Sequence, residues 1–363
     1  MVVILMKQMV NFFQISLVLI GSIGIINHVI MIPMLLDSSG RDSWISILFV
    51  SLIYMLWIPF VFFIHKNTSG NHLYFWLKQN FGKFITYPLV FILMLYFFML
   101  GTVTLKDTLT FFSFYLPQTP RIVLGTSISI ICFYNAQKGI RSIALTTGIV
   151  LPIVFFLGFF VMTANFPHKN YSLLKPMMEH GIHPVLKGML YPAAGFVEII
   201  FILFLQHYVC SKIKVSHLII LGIILVGLTL GPTMAAIAEF GPFVAANQRF
   251  PAFEEWRLVS IGKYIEHLDF LSVYQWLVGV FIRISLIIFL IPDVLQVTKP
   301  KVRNQIMFIV LACMVLICTV PISDTGFYWF VSHFCLPISA IGLVLLSILL
   351  LVLVGVNKRR SRT

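Results

Sequence analysis

NFFQISLVLIGSIGIINHVIMIPML, residues 11–35, decides the fold. It contains no Asp, Glu, Lys or Arg. At about 1.5 Å of rise per residue, a helix of this length crosses a hydrocarbon layer of about 30 Å. A spanning β-strand would alternate apolar and polar positions, and this run does not. His28 and Pro33 lie inside it, and no small-x-small cleavage pattern follows a short core, so the run is expected to remain as a helix and not to leave as a signal peptide.

The rest of the 363-residue chain repeats the pattern. Sixty per cent of residues are hydrophobic and 10% charged, too few charges to cover a water-facing surface. Apolar runs predict ten transmembrane helices at 11–35, 43–64, 85–112, 122–134, 143–162, 190–209, 217–237, 261–291, 306–320 and 330–356. The expected class is therefore an all-α polytopic membrane protein in one transmembrane domain, with a short basic tail at 357–363. The segment 71–87, carrying Phe75, Trp76, Lys78 and Lys83, reads as an amphipathic stretch on the membrane surface. The loops 165–189 and 240–260 are the longest on the other side.

A net charge of +13 suggests nucleic acid at first sight, but the basic residues sit in short clusters between apolar runs and form no continuous patch. Lysine and arginine bias explains them better. With the N-terminus inside, fifteen of the 25 basic residues fall on the cytoplasmic side: Lys7, Lys66, Lys78, Lys83, Lys138, Arg141, Lys212, Lys214, Lys299, Lys301, Arg303, Lys358, Arg359, Arg360 and Arg362. Nine, Lys263 among them, fall outside, and Arg283 lies within a span. Both termini are expected in the cytoplasm, and the lipid bilayer is the partner that the charge pattern implies. The five cysteines show no CxxC and no histidine at ligand spacing, so no metal and no cofactor is expected.

Two predicted spans carry helix-breaking residues: Gly21-Ser22-Ile23-Gly24 in the first and Pro192-Ala193-Ala194-Gly195 in the sixth. They lie five helices apart. In transporters built from inverted repeats, two discontinuous helices in corresponding positions offer freed backbone groups to a ligand near the bilayer midplane. The division predicted is 11–162 and 190–356. The competing reading is that these glycines only let helices approach closely.

Intramembrane charges are costly and point to function. Glu198 sits one turn beyond Gly195, where it can receive an amine, carry a proton or pair with a neighbour. Arg283 is expected to pair with Glu198, to cap carbonyls of the first helix, or to snorkel to the headgroups. Glu239, Glu266 and Asp269 are read as solvated at the outer ends of their helices, and Lys106 with Asp107 as an outer-end pair.

Several segments together resemble the B subunits of endospore germinant receptors, a branch of the amino acid, polyamine and organocation transporter superfamily. They are Pro33 with Gly40-Arg41-Asp42-Ser43-Trp44, Leu116-Pro117-Gln118-Thr119-Pro120, Lys138-Gly139-Ile140 and Gly195-Phe196-Val197-Glu198. The run from Phe250-Pro251 through Arg257 to Glu266-His267-Leu268-Asp269 and Trp276 completes the set. The resemblance implies a LeuT-like fold with a five-plus-five inverted repeat and broken helices 1 and 6. It also implies a subunit of the spore inner membrane that binds a nutrient germinant and signals through A and C subunits. Its ligand site would use Gly21, Ser22, Ile23, Gly24, Ala193, Ala194, Gly195 and Phe196, with Phe97 and Gly101 as a wall. The family's basic position near the fifth helix matches only approximately at Arg141. An ion- or proton-coupled secondary transporter of an amino acid or related solute shares the fold and the site. A membrane enzyme is not expected, because no nucleophile with a base, metal cluster or phosphate loop is legible.

Overall fold

A computed structural model of the chain describes residues 8–68, 71–260 and 267–360. Lys7, Lys263, Glu266 and Arg362, and the first six residues of the predicted eighth helix, lie outside them. The described residues are helical almost throughout, with one isolated bridge between Val10 and Val209.

Span 1 consists of α1 (Phe12–Ile25), a π-helical turn (Ile26–Ile30) and α2 (Ile32–Ser39). Asn11 starts it with a reciprocal cap: its side chain accepts from Gln14 N at 2.8 Å, and Gln14 Oε1 accepts from Asn11 N at 3.0 Å. Spans 2 to 5 are α3 (Ser43–Asn67), α4 (Leu73–Tyr115), α5 (Arg121–Gln137) and α6 (Ile140–Ala164). Span 6 is segmented into α7 (Ile182–Gly188), α8 (Leu190–Phe196), a 3-10 stretch (Val197–Phe201) and α9 (Ile202–Leu205). Span 7 is α10 (Val215–Phe240), followed by the short α11 (Pro242–Asn247) and α12 (Pro251–Arg257). Spans 8 and 9 are α13 (Phe270–Val294) and α14 (Pro300–Thr319). Span 10 joins α15 (Asp324–Phe330) to α16 (Leu336–Arg360) through a π-turn at Val331–Cys335.

Nine helices among the described residues are long and apolar enough to cross a membrane. The 17 residues of α5 stand at the lower limit of that length, as the short fourth run of sequence led one to expect. The protein is an all-helical polytopic membrane protein. Burial sorts the spans: 83% of the most apolar window is enclosed in spans 6 and 8, against 28% in spans 5 and 9. Spans 6 and 8 therefore form the centre with span 1, and spans 5 and 9 present apolar side chains such as Ile149, Phe156, Phe308 and Leu316 to lipid.

α4 is two helices that meet at a kink at Gly82, and the longer one, after the kink, contains the predicted span 85–112. His72 caps the first turn of α4, its Nδ1 accepting from Tyr74 N at 3.2 Å, and the chain bends at Gly82, whose φ of +73° only glycine adopts readily. The segment read as an amphipathic surface stretch is thus a short helix before the kink, with Leu73, Trp76 and Leu77 buried on one side and Phe75 and Gln79 exposed on the other.

Candidate functional site

The glycines of spans 1 and 6 act by closeness. Residues 21–24 and 192–195 are α-helical, and the irregular turns lie further along, at Ile26–Ile30 and Val197–Phe201. A Cβ on Gly21 would stand 2.6 Å from Ile282 Cδ1, and one on Gly195 would stand 1.5 Å from Asn27 Oδ1. Absence of a side chain therefore lets α1 lie against α13, and lets the π-turn of span 1 lie against α8. Gly24 is different, since nothing lies within 4 Å of the place where its Cβ would be. Helix geometry does lapse in both spans, one with a π-turn and the other with a 3-10 stretch, each starting two residues beyond the last glycine.

Close approach of α1 and α13 brings Arg283 to the helix 1 backbone. Its Nη1 donates to the Ser22 carbonyl at 2.8 Å, while Ile26 N–H turns to the Ile23 carbonyl three residues back. Nη1 and Nη2 also donate to Glu198 Oε2 and Oε1 at 2.6 and 2.7 Å, a bidentate pair. Nε donates to Thr104 Oγ1 at 3.1 Å. The Arg283 side chain is 1% exposed and that of Glu198 fully enclosed. One guanidinium thus ties spans 1, 3, 6 and 8 together. Two of the three expected roles of Arg283 hold at once, and snorkelling does not: the side chain lies mid-helix, where its donors are consumed by partners before they reach a headgroup.

Around this clamp lie polar atoms with open valences. Asn27 Nδ2 donates to Thr229 Oγ1 at 3.0 Å, but its Oδ1, facing Gly195, is buried and accepts no hydrogen bond. The Tyr54 hydroxyl is likewise buried without a partner, and its ring stacks on Phe196 with centroids 4.9 Å apart. Unpartnered buried polar atoms are uncommon and call for an explanation. Phe97 packs edge-on against Phe201 and Phe204, and a Cβ on Gly101 would stand 2.5 Å from Met314, so both belong to the wall of the bundle. Ala194 is buried and Ala193 half-buried in the turn before Gly195. Asn27, Tyr54 and Thr104 escaped the sequence reading; only Asn27, a lone amide in an apolar run, left a visible signal.

Two expectations about the charges toward the opposite ends of the spans are corrected. Lys106 and Asp107 do not pair, because neighbours on a helix point about 100° apart. Lys106 donates to the carbonyls of Cys318 and Val320 at 3.0 and 2.9 Å, and Asp107 pairs with Arg249 at 2.5 Å. Glu239 is not solvated: its side chain is enclosed against Lys169 at 3.5 Å and accepts from Asn165 Nδ2 at 3.2 Å. Nearby Glu255, on α12, is pushed well above the usual carboxylate range by burial and then by the charge of Glu239. Asp269 accepts from the Tyr115 hydroxyl at 3.2 Å and stays half-exposed.

A second constellation was invisible in the sequence. His72, His207 and Asp293 come from the start of span 3 and the ends of spans 6 and 8, and one ligand-type atom of each lies within 4.8 Å of the others.

Residues 5–327 match the family described as spore germination protein. A spore germination protein XB of Bacillus anthracis is 75% identical over 354 residues, covering 98% of this chain and 100% of that protein. In Bacillus subtilis (strain 168), spore germination protein B2 is 26% identical over 73% of each chain. A putative spore germination protein YfkT of the same organism is 22% identical over 82% of this chain and 81% of that protein.

Proposed function

Because the chain belongs to the spore germination protein family, we propose that it is the nutrient-sensing membrane subunit of a spore germinant receptor. It holds a small molecule, such as an amino acid, where spans 1 and 6 meet. Its place is the spore inner membrane, with both termini in the cytoplasm and A and C subunits receiving the signal. Spans 1–5 and 6–10 form the two halves of an inverted repeat, and the irregular turns at Ile26–Ile30 and Val197–Phe201 are the corresponding discontinuities.

The observation that carries this reading is the junction itself. Asn27 Oδ1 and the Tyr54 hydroxyl are buried without partners beside Gly195 and Phe196, and the space next to Gly24 is open. A polar ligand supplies the missing hydrogen bonds, and the aromatic ring of Phe196 covers its apolar part. The Arg283 clamp favours sensing over ion-coupled cycling. A permanent positive charge already occupies the helix 1 carbonyl at Ser22, where a coupling cation would need an acceptor. Ligand binding then changes the balance between two arrangements of the bundle through differential affinity alone.

The test is binding of labelled nutrients to the protein in nanodiscs, together with uptake in proteoliposomes. Saturable binding that Gly24→Trp and Asn27→Leu both abolish, without concentrative uptake, is the expected result. Sodium- or proton-driven uptake would make the chain a transporter. Binding indifferent to both substitutions would remove the site.

A further inference from the structure

The ends of spans 3, 6 and 8 meet at Asp293, ten residues beyond Arg283 and about 15 Å further along the same helix. His72 Nε2 lies 3.2 Å and His207 Nε2 3.6 Å from Asp293 Oδ2. The two imidazole rings are 4.2 Å apart between centroids. In a tetrahedral zinc site, with metal–ligand distances of about 2.0–2.1 Å, neighbouring ligand atoms stand about 3.3–3.4 Å apart. The two separations from Asp293 Oδ2 bracket that value, and the three ligand-type atoms all lie within 4.8 Å of one another.

The surroundings divide the carboxylate in two. Oδ1 accepts from the Tyr208 hydroxyl at 2.5 Å and from Arg303 Nη1 at 3.5 Å, which leaves Oδ2 for the histidines. Gln296 brings its side-chain amide against His72 Nε2, and its Nε2 donates to the Asp293 carbonyl. His207 Nδ1 is buried without a hydrogen-bond partner. On its other side, the cluster borders open space through His207, which lines a cavity of about 610 Å³ with His65, Lys66, Gln206 and Lys212.

We propose that His72, His207 and Asp293 form a binding site for a first-row divalent transition ion, with zinc the best match. Two imidazoles and one carboxylate suit zinc better than magnesium or calcium, which prefer oxygen shells of six or more. Ligation through His72 Nε2 places that ring's proton on Nδ1, so the bound form gives up the hydrogen bond from Tyr74 N. The ion crosslinks three spans at the end of the bundle where span 1 begins, and holds that end shut. Arg303 is the nearest cation to the carboxylate, and Lys66 and Lys212 line the cavity, so affinity is set against positive charge on that side.

The experiment uses the full-length protein in nanodiscs after chelator treatment, with Zn²⁺ titrated calorimetrically and Co²⁺ as an optical probe of geometry. One equivalent of Zn²⁺ should bind, Co²⁺ should give the intense visible bands of a four-coordinate site, and Zn²⁺ should raise the Tm saturably. His207→Gln and Asp293→Asn should each abolish stoichiometric binding. Tyr208→Phe, which touches only Oδ1, should weaken it by about tenfold. The Tm shift and the cobalt spectrum need no variant, so a misfolded substitution does not blunt the test. Absence of saturable Zn²⁺ and Co²⁺ binding by the folded wild-type protein overturns the proposal, as does binding that survives in His72→Gln/His207→Gln. Both readouts are independent of the nutrient site, so that reading stands or falls separately.

Discussion

At Arg283 every guanidinium nitrogen has a partner and both oxygens of Glu198 are engaged; at Asp293, on the same helix, two imidazoles converge on one oxygen and a cavity opens beside them. Spans 3, 6 and 8 supply both places, and span 1 joins them at the centre through Ser22. At the centre, Arg283 and Glu198 satisfy each other, and the open valences lie beside them at Asn27 and Tyr54. At the end, two imidazoles and a carboxylate gather their nitrogen and oxygen atoms in one place, and His207 borders a cavity. Buried ion pairs contribute modestly to net stability but strongly penalise the loss of either partner. The centre is therefore suited to holding helices in register, and the end to changing its state.

The sharpest way to break this contrast is to remove half of the central pair. Arg283→Ala leaves Glu198 buried and unpaired, at a cost of roughly 3–5 kcal/mol, whereas Arg283→Met with Glu198→Leu removes both charges and should recover most of it. Unfolding in mixed micelles reads the difference. Equal loss in the single and double variants would mean that the bonds to Ser22 and Thr104, and not the charge pair, carry the stabilisation.

The glycines sharpen the comparison next. Gly195→Ala places a methyl 1.5 Å from Asn27 Oδ1 and must displace the π-turn, so a cost of about 1–3 kcal/mol and loss of ligand binding are expected. Gly24→Ala meets nothing within 4 Å and should be near neutral in stability. Thermal unfolding of the two variants side by side decides; since helix propensity favours alanine over glycine at both positions, similar losses would show that the Asn27 contact does not set the sensitivity.

The two regions also differ in how far the sequence announced them. Charge-free runs of membrane length made the helical class legible, because hydrocarbon leaves few alternatives to a helix. Arg283 and Glu198 stood out because a charge in such a run has to find a partner. The end cluster stayed hidden: His72, His207 and Asp293 are 135 and 86 positions apart and near helix ends, where polar residues are ordinary. Only the packing of three spans brings them together. The glycines left two readings open, breaks or close approach, since a sequence does not distinguish a glycine that bends a helix from one that, like Gly21 or Gly195, admits Ile282 or Asn27.

The smallest expected effect lies at the end cluster. Tyr208→Phe deletes one hydrogen bond to Asp293, which keeps His72, His207 and Arg303 as partners. A single bond to a charged group contributes about 1.5 kcal/mol, so the Tm should fall by only a few degrees without added zinc. If the end site is the adjustable one, the same variant should show a larger deficit when zinc is present, because the bound form depends on how Asp293 is oriented. Parallel melts with and without Zn²⁺ measure that difference. A deficit of the same size in both would place Tyr208 and Asp293 in a static scaffold like the one around Arg283, and the contrast between the two regions would disappear.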